Sequence, residues 1–78
     1  MNSAREEILK LTADRLQNKV ESIMLDINII LSNPESSGNT VGKLSELMVD
    51  LAIYESALAH AKHFYAQSLG LNKTTEES

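Results

Sequence analysis

The residues most capable of chemistry lie close together in the second half of the chain, in the stretch YESALAHAKHFY. His60 and His63 are three positions apart, so a helix would set them on one face, where two imidazoles can share a metal ion. A metal site needs further ligands, and Glu55 stands five residues before His60, badly placed to join it. Neither a Glu-x-x-His pair of the di-iron bundle kind nor an HExxH motif occurs. Ser56 has His60 four residues on, the spacing of a nucleophile and its base, but nothing nearby orients the base or builds an oxyanion hole. The glycines Gly38 and Gly42 form no phosphate-binding loop. The reading is of a protein that is not an enzyme, without catalytic residues, cofactor or metal. An interface built on the two histidines would be sensitive to pH.

Composition narrows the remaining classes. The chain has 78 residues, a net charge of −4, no cysteine, one proline and three glycines. Disulfides and thiolate metal sites are excluded, which suits a reducing compartment. Acidic and basic residues are interspersed, with no basic stripe for a phosphate backbone, so nucleic-acid binding is not expected. The opening MNSAREEILK carries acids where a signal peptide carries positive charge, and the longest apolar run, INIIL, cannot span a bilayer. A cytoplasmic protein without membrane association is expected. A chain this short buries only about 60% of its unfolded surface and usually needs a partner, a metal or self-association for support.

Positioning elements follow from hydrophobic spacing. Leu9, Ala13, Leu16, Val20, Ile23, Ile27 and Ile30 alternate spacings of four and three, an unbroken heptad seam. Leu44, Leu47, Leu51, Tyr54, Leu58, Ala61 and Tyr65 repeat that rhythm. Between them NPESSGNT holds the proline and one glycine and reads as the loop. Ser3 with Glu6 forms a capping box at the first helix, and Pro34 disfavours helix at Asn33. Asn39 or Thr40 is the expected cap of the second helix, and Gly70 its C′ glycine, with Leu71 folding back on the last turn. The expected architecture is all-α: an antiparallel two-helix hairpin over residues 1–71, with helix 3–32, loop 33–40 and helix 41–69, then a disordered polar tail, 72–78. In the register set by the loop, Ile30 faces Leu44, Ile23 faces Leu51, Leu16 faces Leu58 and Leu9 faces Tyr65.

More apolar residues remain than two seams can use. Met24 and Leu31 flank the first seam and Val41 and Met48 the second, all four near the loop. Leu25, Ile29 and Ile53 point further outward, Phe64 flanks the far end, and Ala57 lets another helix approach closely. Met24, Leu25, Ile29, Leu31, Met48, Ile53, Ala57 and Phe64 are therefore the candidate partner-binding residues. The burial they need comes from a homodimer or tetramer closing a helical bundle, or from a different protein.

The second helix carries a further signal. Its segment ESALAHAKHFYAQSL resembles the small co-chaperones of type III secretion needle subunits, the YscE/PscE type, on Glu55, Ser56, Ala57, Leu58, Ala59, His63, Phe64, Ala66 and Leu69, with a one-residue offset within the run. The likeness covers about fifteen residues, and the proline in the loop departs from it. The resemblance implies a cytoplasmic co-chaperone that stabilises a helical-repeat (TPR-like) chaperone and, through it, keeps the needle subunit monomeric before export. A reading from a different class is a self-assembling small helical protein, of phage or bacterial origin, that sequesters a small anion between hairpins through Lys10, Arg15, Lys19 and Lys62.

Overall fold

In a computed structural model the chain is two α-helices packed side by side, α1 (Ser3–Ser32) and α2 (Gly38–Glu77). The structure describes residues 3–33 and 37–77, with side chains for 4–33 and 37–70. The capping by Ser3, the effect of Pro34 and the packing of Leu71 fall outside the described residues or side chains. The fold is an all-α helical hairpin. It is a rod, 59 × 18 × 15 Å, whose long dimension is the length of α2.

The connection is tighter than the loop expected from sequence. α1 closes with the Asn33 N–H donating to the Ile30 carbonyl (3.3 Å), and the Ser32 hydroxyl donates to the carbonyl of Ile29 (2.8 Å). These bonds satisfy carbonyls that a helix end leaves without partners. α2 begins at Gly38, so Asn39 and Thr40 are not its caps but lie inside its first turn. Ser37 is the cap. Its Oγ accepts the Thr40 N–H (3.2 Å), and its carbonyl accepts the Val41 N–H (3.1 Å). The two hydroxyls of Ser37 and Thr40 also meet at 3.0 Å.

At the other end α2 runs on past the expected stop at residue 69. Gly70 is helical, has no positive φ, and would meet no atom within 4 Å if it carried a Cβ. It is not a C′ glycine. The helix continues to Glu77 across the segment expected to be a disordered tail. Glycine in a helix interior costs about 1 kcal/mol relative to alanine, which weakens a helix without ending it.

Packing follows the heptads. The buried apolar residues are Val20, Ile23 and Ile27 of α1 with Leu58 and Ala61 of α2, all seam positions. Leu16 and Ile30 of α1, and Leu44, Leu51 and Tyr54 of α2, are only half-buried. Two helices have one contact line, and a side chain on that line still touches solvent from both flanks. The Lys19 ammonium sits 5.5 Å from the centre of the Tyr54 ring, across the two helices. That contact agrees with the register pairing Ile23 with Leu51, which sets residue 20 level with Tyr54. One seam position is polar. Ser68 follows Tyr65 in the heptad, is 1% exposed, and its Oγ has no hydrogen-bond partner among the described residues.

Candidate docking surface

The heptad determines which apolar side chains escape the seam. In an antiparallel pair, the position just after the second seam residue of each heptad in one helix lies beside its counterpart in the other. Met24 and Leu31 of α1 therefore share a flank with Val41 and Met48 of α2. All four are exposed, between 46% and 63%. They form one apolar strip that crosses both helices at the connection end. Leu25 and Ile29 on α1, and Ile53 on α2, are also exposed and face further outward. Phe64 is exposed at the opposite end, its ring edge-on to His63 with centroids 5.8 Å apart. Ala57 differs from the other candidates: it is half-buried and adds little free area.

Ile8, Leu11, Val49 and Leu69 are exposed too, and sequence reasoning passed over them. The signal was available. Each is a large apolar residue off the seam of a helix whose seam was already identified. The elongated shape leaves the rod with far more surface than its mass requires. The accessible area is 6018 Å². A compact monomer of 8.6 kDa exposes about 4700 Å². The surplus, about 1300 Å², exceeds the roughly 800 Å² that each partner contributes to a standard interface.

Polar features divide between the flanks. On the strip's flank of α1, the Gln17 amide donates to Glu21 (3.0 Å). On the flank away from the apolar strip lies an open groove of about 730 Å³. Arg15, Asn18, Lys19 and Ser22 line it from α1, with Thr12 and Leu16, and Tyr54 closes it from α2. Of the four cations that sequence suggested for an anion, Arg15 and Lys19 line this groove, and Lys10 and Lys62 do not. A second groove, about 300 Å³, lies at the connection between Ile29, Ile30, Asn33, Thr40 and Lys43.

His60 and His63 are both exposed. Among the described residues no group of three or more histidine, cysteine, aspartate or glutamate side chains is placed to hold a metal. Nor is any described helix long and apolar enough to cross a membrane. No known protein family matches the chain, and no curated protein or solved structure is significantly similar to it.

Proposed function

We propose that this hairpin is a docking subunit, a non-enzymatic protein that works by burying its apolar flank against a helical partner. The observation that carries the reading is the strip formed by Met24, Leu31, Val41 and Met48, contributed by both helices and left exposed by their pairing. Leu25, Ile29 and Ile53 add exposed apolar area beyond the strip. Solvent contact over such a strip is unfavourable by about 25 cal/mol per Å², so covering it drives association. A partner made of paired helices offers grooves that accept a rod of this width.

In its specific form the proposal is a cytoplasmic co-chaperone. The partner is a helical-repeat chaperone with an uncovered apolar edge, and the cargo behind it is a needle subunit that polymerises through apolar helical surfaces. The hairpin stabilises the chaperone and touches little of the cargo. Without the partner the same strip closes on a second copy of the chain, as a dimer or tetramer.

Met48→Glu tests this. The position is exposed in the hairpin, so the charge leaves the helices intact, and it places an unpaired carboxylate in the buried interface. Co-expression with a helical-repeat chaperone from a needle-secretion locus should give a stoichiometric complex with the natural chain and none with the variant. Circular dichroism should show equal helicity. A complex that survives Met48→Glu would remove this strip from the interface, and failure of the natural chain to bind would remove the co-chaperone role.

A further inference from the structure

The groove beside the apolar strip's opposite flank has a composition that docking does not explain. Arg15 and Lys19 are four positions apart, so their charges stack on one helix face. Like charges at that spacing destabilise a helix by a few tenths of a kcal/mol. Neither residue has an acid three or four positions away in either direction: the positions around them hold Leu11, Thr12, Leu16, Asn18, Ser22 and Ile23. Among the described residues neither forms an ion pair, and no carboxylate lines the groove. Asp14, next to Arg15 in the chain, does not line the groove, and Glu21, two residues past Lys19, accepts the Gln17 amide. Elsewhere on α1 the chain follows the opposite rule, with Lys10 set between Glu6 and Asp14 at the favourable spacing. The unbalanced pair thus lines the groove of about 730 Å³.

Other groups in the groove fit the same reading. The Tyr54 ring forms its far wall, and the Lys19 ammonium lies over that ring at 5.5 Å. An ammonium so placed covers the ring face, and a phosphate drawing it aside would uncover that face for a ligand's ring. Asn18 and Ser22 make no hydrogen bond among the described residues and supply donors. The Thr12 hydroxyl is different: its proton is committed to the carbonyl of Ile8 at 2.7 Å, so it faces the groove as an acceptor. Two cations one turn apart, flexible amide and hydroxyl donors, and one aromatic wall match a ligand with a phosphate at one end and a flat ring at the other. The volume, about 730 Å³, is that of a small-molecule site.

We propose that this groove binds a small phosphorylated ring compound of the nucleotide class, its phosphate held by Arg15 and Lys19 and its ring stacked on Tyr54. This site lies apart from the apolar strip and stands or falls independently of the docking role.

Adenosine monophosphate is the probe, titrated into the isotope-labelled full chain and followed by amide chemical shifts, with inorganic phosphate and adenosine as separate arms. The expected result is saturable shifts confined to the turns carrying residues 12–22 and to the neighbourhood of Tyr54, with the nucleotide binding at least about tenfold more tightly than phosphate or adenosine alone. Arg15→Gln combined with Lys19→Gln should weaken binding by a further factor of about ten or more while helicity is unchanged, because glutamine is a good helix former. Tyr54→Phe keeps the ring and should keep the affinity. Absence of saturation at millimolar nucleotide would overturn the proposal. So would equal binding of phosphate and nucleotide, or shifts spread over every lysine that persist in the double variant.

Discussion

Replacing Ser68 with alanine should stabilise this protein, an unusual outcome for a fully buried position. Ser68 is 1% exposed and its hydroxyl oxygen has no partner. A hydroxyl removed from water without a compensating bond costs about 1–3 kcal/mol, and alanine does not carry that cost. Alanine also has the higher helix propensity, by up to about 0.5 kcal/mol. Loss of the packing made by one oxygen subtracts a few tenths of a kcal/mol. The net expectation is a gain of about 1–2 kcal/mol. Ser56→Ala is the matched control, since Ser56 is exposed on the same helix and reports propensity alone. Urea unfolding followed at the helix band, at fixed chain concentration, should rank Ser68→Ala above Ser56→Ala by about 1 kcal/mol. In a thermal scan that difference is about 4–8 °C for a domain of this size. If Ser68→Ala proves no more stabilising than Ser56→Ala, the hydroxyl is partnered and the seam is not strained at its polar step.

Five further substitutions examine the helix ends, the core and the exposed surface. Ser37→Ala should cost about 1 kcal/mol by removing the cap of α2, while Asn39→Ala, two positions further in, should be nearly neutral in the same unfolding assay. Gly70→Ala should raise stability by up to about 1 kcal/mol, since the site is helical and open; a loss instead would mean a left-handed glycine that ends the helix there. Ile23→Ala, at the buried centre of α1, should cost about 2–5 kcal/mol and remove much of the helical signal at 37 °C. Ile8→Ala, 63% exposed, should change the unfolding midpoint of the isolated hairpin little.

The seam was legible because heptad spacing is a direct consequence of helix geometry, and each buried apolar residue, from Val20 to Ala61, was on it. The same spacing pointed to Ser68, three residues beyond Tyr65, but a polar side chain does not register as core in a hydrophobic pattern. The ends were less legible. Gly70 carries the residue type of a helix stop, yet whether glycine stops a helix depends on φ, which sequence does not contain. The cap was expected at Asn39 or Thr40 and lies at Ser37; serine and asparagine cap about equally well and threonine little worse, so residue type does not choose among neighbours. At the candidate sites, the exposed apolar residues near the connection were predictable as those left over from the seam. The groove was not. Arg15 and Lys19 are visible in the sequence as cations, but only pairing with α2 brings the Tyr54 ring across to face them.

The shape of the hairpin governs how it moves. Its radius of gyration is 17.7 Å. A compact chain reaches that value at about 240 residues, roughly three times the length of this one. A single copy therefore diffuses and tumbles slowly for its mass and emerges early from a sizing column, at a volume that a globular calibration would assign to an oligomer. Side-by-side association thickens the rod without lengthening it. Mass doubles while friction rises by a much smaller factor, so assembly registers strongly in scattered light and only weakly in elution volume.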